Sequence, residues 1–311
     1  MTSVAQKTDS SSNAAVAIGN FDGVHVGHQK LLRQVVRLAK ERALRPLLMT
    51  FAPHPVAVLG RTPPEVLTTV EAKCTIIREL HPELSVHVET FDLKLAACSP
   101  AEFVKNVLVE GVSARAVVVG RNFRFGKGRA GDFDVLKRLG AGFGLEAMAA
   151  ELVSVDGEVV SSSRLRRAVS EGDVTLAGKL LGRPHAVIGK VGHGQARGRD
   201  LGFPTANLMD TEELLPADGV YAGYLSGSAE TCLARPAPCV VNIGRRPTVG
   251  GQERQLEAHV LDFSGDLYGE RLKLEFVDRL RDEKRFETLP ALVEQIQRDI
   301  ERARELLGTA R

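Results

Sequence analysis

The four cysteines, Cys74, Cys98, Cys232 and Cys239, are scattered, and no Cys-x-x-Cys pair occurs. That spacing offers neither a zinc pattern nor a disulfide framework. Reduced thiols in a cytoplasmic protein are the expectation. No uninterrupted apolar run approaches the roughly 20 residues of a membrane span. Residues Met1 to Asn13 are polar, with serines at 10, 11 and 12, and lack the basic head and apolar middle of a signal peptide. They read as a disordered tail. Net charge is only +2, so bulk electrostatics give no sign of a nucleic-acid partner. No internal repeat or low-complexity segment breaks the chain. What is present is ordinary for a soluble protein: 43% hydrophobic and 26% charged residues over 311 positions, a length that corresponds to about two domains.

Ala14 to Ile18 is an apolar run of the kind that forms a buried parallel strand. It breaks into the loop Gly19-Asn20-Phe21-Asp22-Gly23-Val24 and then enters an amphipathic helix near His25. Leu31, Leu32, Val35, Val36 and Ala39 make that helix's apolar side. His25 and His28, three apart, share one face of its first turn, beside free N–H groups and a positive dipole end suited to phosphate. Gly27 between them leaves room for a nucleotide to approach the backbone.

Further strands are expected at Pro46 to Phe51, Leu84 to Glu89 and Ala114 to Val119, with helices at Pro100 to Glu110, capped by Ser99, and near Asp134 to Leu139. Such alternation indicates a parallel sheet with helices on both faces. Ligands then bind at the carboxyl ends of the strands. His25 and His28, Pro53-His54-Pro55 and the loop from Gly120 all follow strands and are expected to meet at one edge. The character changes near Gly182-Arg183-Pro184. Short strands follow at Ala186 to Val191, Gly219 to Leu225, Pro238 to Ile243, Leu256 to Phe263 and Arg271 to Leu280, a pattern of a small antiparallel barrel. A last helix opens at Thr288 with Pro290 in its first turn and ends at Gly308. Its stripe, Leu289, Val293, Ile296, Ile300, Ala303 and Leu307, is expected to dock on the barrel.

The segment Gly120 to Gly131 is rich in glycine and arginine but is not a Walker A motif: five residues separate Gly120 from Gly126, and no Ser or Thr follows Lys127. Val160-Ser161-Ser162-Ser163-Arg164-Leu165-Arg166 opens a helix with three hydroxyls and two guanidiniums, a composition suited to an anion. Within Gly198-Arg199-Asp200-Leu201-Gly202-Phe203-Pro204-Thr205-Ala206-Asn207, Thr205 and Asn207 present oxygens two apart, the right donors for Mg²⁺. Period two puts Glu257, His259 and Leu261 on one strand face. A carboxylate inside a small barrel could then act as general base. Each of these also has a plainer reading, as a solvated loop, a helix cap, a turn or an edge-strand carboxylate.

Taken together and in order, the motifs resemble the bacterial bifunctional riboflavin kinase/FMN adenylyltransferase family. Gly19-Asn20-Phe21-Asp22-Gly23-Val24-His25-Val26-Gly27-His28 resembles its nucleotidyltransferase signature, and Gly198 to Asn207 its kinase motif. The resemblance implies a Rossmann-like adenylyltransferase domain over 14–183, after a tail over 1–13, and a barrel-type riboflavin kinase domain over 184–311. It implies ATP-dependent phosphorylation of riboflavin to FMN, then adenylylation of FMN to FAD, with Mg²⁺ held mainly by phosphates. His25, His28, Arg166 and Glu257 would be catalytic, the last as base. Gly19, Phe21, Gly27, Ser162, Ser163, Thr205 and Asn207 would hold ATP, and Thr205 and Asn207 the metal. Asn122 and Phe125, with Phe103, would contact the flavin; His54 matches the Phe-x-Pro-His-Pro loop. Two departures stand out: Val66 occupies a position where many relatives carry arginine, and the lead-in before Ala14 is short and polar. Alternatives left open are a monofunctional riboflavin kinase and a catalytically silent flavin-binding protein. No nucleic-acid or membrane partner is expected.

Overall fold

The computed structural model describes residues 12–194, 198, 201–248 and 251–308. Residues 1–11, most of the expected tail, and Arg199 and Asp200 of the second motif lie outside them. The chain forms two compact units, 1–162 and 163–311.

The first unit is built on a five-stranded sheet: β1 (Ala14–Ile18), β2 (Arg45–Ala52), β3 (Ser85–Thr90), β4 (Ala114–Gly120) and β5 (Glu146–Ala150). Their order is β3-β2-β1-β4-β5, and every pairing is parallel. β1 is buried throughout, which is why it reads as a continuous apolar run. Ala15 and Ala17 face helix α1 (Val26–Glu41), which buries Leu31, Leu32, Val35, Leu38 and Ala39. Ala14, Val16 and Ile18 face the other side, over Phe103, Val104, Leu108 and Leu136 of α3 (Phe133–Ala141).

One expected helix takes a different form. Ser99 and Glu102 make a reciprocal capping box at Pro100–Glu102, but Phe103–Gly111 continues as a π-helix. Burial recurs at Val104, Leu108 and Val112. The backbone bonds of this helix run i to i+5. Helix α2 (Val70–Leu80), capped by Thr69, and strand β5, whose alanines carry little strand signal, were not read from the sequence.

Helices α4 (Ser162–Ser170) and α5 (Val174–Leu181) lead into the second unit, where Val174 joins the barrel core. The barrel is closed and antiparallel: β6 (His185–Gly192), β7 (Ala206–Met209), β8 (Gly219–Ser226), β9 (Ala237–Thr248), β10 (Gly251–Val260) and β11 (Arg271–Arg281). The order around it is β8-β9-β10-β7-β6-β11. β7, at the end of the Gly198–Asn207 motif, was not among the strands expected from the sequence. The interior is apolar, with Val187, Tyr221, Val241, Leu256, Ala258, Leu274 and Phe276.

Helix α6 (Leu289–Leu307) packs outside the barrel, on Ala222, Tyr224, Val240 and Leu280. Its buried stripe is Asp299, Ala303 and Leu307, while Leu289, expected to pack, is 64% exposed. The carboxylate in that stripe has a reason. Arg281 of β11 binds Asp299 through Nε and a terminal nitrogen at 2.9–3.1 Å, and Gln295 adds a bond of 2.9 Å. Among the described residues no helix is long and apolar enough to cross a membrane.

Replacing Asp299 with alanine leaves the Arg281 guanidinium buried without its counter-charge. A loss of about 3–5 kcal/mol is expected. All three tyrosines, Tyr221, Tyr224 and Tyr268, belong to the second unit, and the chain has no tryptophan. Urea unfolding followed by tyrosine fluorescence therefore reads this unit alone, and its midpoint should fall in Asp299→Ala.

Candidate active sites

In the first unit the strand order reverses between β1 and β4. The carboxyl ends of the strands at such a reversal are the usual ligand position in sheets of this kind. The loop leaving β1 is tightly wound: Phe21, Gly23 and Val24 have φ of 49°, 83° and 44°. A positive φ at a β-branched valine is a strained conformation that its surroundings must hold. Asp22 does much of this. Its carboxylate accepts the N–H groups of Leu67 and Thr68 and the Thr68 hydroxyl at 3.1–3.3 Å. The Gly23 N–H donates to Thr68 Oγ1 at 3.0 Å, and Ser162 Oγ to the Asp22 carbonyl at 3.0 Å. The Asn20 carbonyl accepts from Thr50 Oγ1, at 3.2 Å, and from Lys73 Nζ.

That loop delivers the histidine pair. His25 is the N-cap of α1, and its Nδ1 accepts the His28 N–H at 3.2 Å. In the neutral ring the proton therefore sits on Nε2 as a donor. The two imidazoles stack, with centroids 3.6 Å apart and planes at 14°, and the Phe21 ring lies 4.8 Å from that of His28. Among the described residues His28 Nδ1, which is buried, has no hydrogen-bond partner. Burial, then the charges of His25 and Lys73, hold His28 well below the usual imidazole range, so at neutral pH it is uncharged. The space at Gly27 is used differently from the sequence reading: a Cβ there would meet His25 Cε1 and Nδ1 at 3.2 Å. Gly27 makes room for the His25 ring.

His54, after β2, caps a short helix through Nδ1, which accepts the Val56 N–H, and its Nε2 lies 3.2 Å from the Asn20 carboxamide. After β4, Asn122 is exposed. Phe125, expected to offer its face to a ligand, is 6% exposed and packs between Phe103 and Phe123, as part of the core. Phe103 is buried with it. The half-buried ring of the trio is Phe123, stacked on Phe125 at 5.6 Å. Ser162 reaches the β1 loop as described; Ser163 and Arg166 continue α4 in the second unit. Val66 is exposed, beside the two amides bound to Asp22.

In the second unit the alternation on β10 is as expected, but its sense is reversed. Leu256, Ala258 and Val260 fill the barrel, so Glu257 and His259 point out of it. Directly opposite residues place Asn242, Glu257 and Asn207 in a row across β9, β10 and β7. All three line a cavity of 490 Å³ outside the barrel wall. Thr205, Arg245, Glu283 and Lys284 also border it, and Leu292 and Ile296 of α6 supply an apolar side. His259 Nδ1 lies 2.8 Å from the Pro204 carbonyl and its ring meets Phe203 edge-on. Thr205 further borders a second cavity of 470 Å³, with Val191, Asp266, Leu267 and Tyr268. A Cβ on Gly194 would fall 2.4–2.6 Å from the Asn207 carboxamide, so that glycine leaves the amide room.

The described residues contain no cluster of three or more His, Cys, Asp or Glu able to hold a metal. Thr205 and Asn207 are neutral oxygen donors. They fit a hard cation such as Mg²⁺ whose remaining ligands are phosphate oxygens. The sequence reading missed Lys73, Thr68 and the supporting role of Asp22. Their partners lie 23 or more positions away along the chain, beyond any local pattern. A lysine inside the apolar phase of α2 was the one available signal.

A family model described as FAD synthetase matches residues 7–164, and one described as riboflavin kinase matches residues 181–307. The bifunctional riboflavin kinase/FMN adenylyltransferase of Escherichia coli (strain K12) is 38% identical over 294 residues, covering 94% of this chain and 92% of that protein. The protein of the same description from Pseudomonas fluorescens is 39% identical over 295 residues, covering 93% and 91%. A crystal structure described as a macrolide-efflux protein from Streptococcus pneumoniae matches with a TM-score of 0.85 at 31% identity, over 94% of both chains.

Replacing Asp22 with alanine should strand the Leu67 and Thr68 amides. Each buried donor left unpaired costs about 1–3 kcal/mol. Hydrogen exchange at these two amides should accelerate in Asp22→Ala, while the central strands keep their protection.

Proposed function

The chain belongs to the bifunctional riboflavin kinase/FMN adenylyltransferase family, and we propose that it phosphorylates riboflavin to FMN with its second unit and adenylylates FMN to FAD with its first. The observation that carries this reading is the presence of two separate constructions: a stacked histidine pair at a helix N-terminus where the sheet's strand order reverses, and a Glu257-centred row walling a cavity outside the barrel. Cytoplasmic ATP chemistry agrees with the four cysteines, all unpaired.

For FAD formation no enzyme nucleophile is needed. An oxygen of the FMN phosphate attacks the α-phosphorus of ATP in line, and pyrophosphate leaves. The protein's task is positioning and neutralising charge. His25 Nε2–H and His28 donate toward the α-phosphate and leaving group, with the α1 amides and dipole behind them. Gly19, Phe21 and Gly27 shape this pocket. Ser162, whose hydroxyl donates to the Asp22 carbonyl, serves the phosphates. On the flavin side, Asn122 makes a polar contact, and Phe123 is the ring next to the ligand, held from behind by Phe125 and Phe103.

For FMN formation, Glu257 takes the proton of riboflavin's ribityl hydroxyl. The oxygen then attacks the γ-phosphorus of ATP, and ADP leaves. The outward placement of Glu257 helps, because a base inside the packed barrel would have no substrate to reach. The 490 Å³ cavity receives the flavin and the 470 Å³ cavity the nucleotide, with Thr205 between them. Thr205 and Asn207 would hold Mg²⁺, which when bound neutralises phosphate charge.

Incubation with riboflavin, ATP and Mg²⁺, resolved by chromatography, should yield FMN first and FAD later. FMN alone, even when FMN is supplied, would favour a kinase only, and bound flavin without turnover a silent binder. Glu257→Gln should lower riboflavin phosphorylation roughly 10²–10⁴-fold and leave FMN-to-FAD conversion intact. His28→Ala should do the reverse, lowering FAD formation about 10²–10³-fold, as for a lost transition-state donor. Equal loss of both activities in either folded variant would contradict separate sites.

A further inference from the structure

Helix α2 buries a lysine. Lys73 is 5% exposed, and its Nζ bonds two neutral oxygens, the Asn20 carbonyl and, at 3.5 Å, Thr50 Oγ1. A buried ammonium bonded only to neutral groups is costly to keep charged. Burial accordingly pulls its pKa below the ordinary lysine value, against the pull of nearby Asp22. The helix would be cheaper with leucine there, so the position of the charge calls for a reason. The reason lies in what it holds. Asn20 immediately precedes Phe21, where the backbone enters the left-handed region it revisits at Val24. The Asn20 carbonyl thus ties the start of the turn to β2, through Thr50, and to α2, through Lys73.

We propose that Lys73 is a positioning residue of the adenylyl-transfer site: its ammonium pins the Asn20 carbonyl, and through it the strained loop that delivers His25 and His28 to the start of α1. This rests on the adenylyltransferase reading of the first unit. The same ammonium bears on the rings directly. His28 is faced by His25 from its own helix, by the Phe21 ring from the loop and by the charge of Lys73 from α2, with Asp22 the carboxylate nearest that lysine. Without Lys73 the His28 ring gains protons more easily.

The test uses the full chain with Lys73→Met and Lys73→Gln. Steady-state FMN-to-FAD conversion gives kcat and KM. Riboflavin phosphorylation by the same preparation reports that the second unit is intact, and hydrogen-exchange protection of β1, β2 and β4 that the first unit is folded. Lys73→Met should lose about 10²-fold in kcat, the scale of a misplaced reacting group, with a smaller change in the KM for ATP. Lys73→Gln keeps a donor for Asn20 without the charge and should recover part of that loss. In both, the His28 titration followed by NMR, assigned with His28→Asn, should move to higher pH. If Lys73→Met is insoluble, Lys73→Gln carries the same readouts. Unchanged kcat overturns the proposal, as does a rise in KM alone or a loss with the His28 titration unmoved. Wild-type chain that makes no FAD from FMN overturns the adenylyltransferase reading, and this proposal with it.

Discussion

One buried carboxylate ties the first site together. Asp22 gathers the amides of Leu67 and Thr68 and the Thr68 hydroxyl around its side chain, while its own carbonyl receives Ser162. Two stretches of chain that share no local sequence signal are thereby fixed on one loop. The loop needs that support, because three of its residues lie at positive φ and two of them are not glycine. The histidine pair inherits its geometry from this: His25 can cap α1 and lie flat against His28 only if the turn before it is held.

The second site depends on a different constraint, the alternation of a pleated strand. A closed barrel of this size fills its interior with side chains, so chemistry has to be staged on the outer surface. Helix α6 then turns part of that surface into a cavity. It is anchored by Asp299 on Arg281 and by Ala303 and Leu307 on the barrel wall, which leaves Leu292 and Ile296 to line the space over Glu257.

Much of this was legible in the sequence where the signal is local. The run Ala14–Ile18, the phase of α1, the spacing of the histidines and the period of β10 are all short-range; β1 and α1 lie where they were expected, while β10 begins five residues earlier than expected and ends before Leu261. What the sequence could not convey was direction and distance. Period two showed that Glu257 and His259 share a face, yet only the closure of the barrel decides which face looks inward. Phe125 has the composition of a stacking platform, but burial between Phe103 and Phe123 makes it a support. Gly27 signalled a close approach and not its partner, the neighbouring His25 ring. The π-helix and β7 escaped because a spacing of four also suits an α-helix, and because a four-residue strand inside a glycine-rich motif looks like a turn.

The alternation along β10 also separates two kinds of inheritance. Leu256, Ala258 and Val260 answer to packing; Glu257 and His259, between them, answer to whatever occupies the outer cavity. Within one short stretch, odd and even letters are under unrelated demands. A lineage can therefore exchange apolar residues in the barrel while its outer wall stays as it was, or recut the wall without disturbing the barrel. Mutational drift in such a strand should be read as two interleaved records.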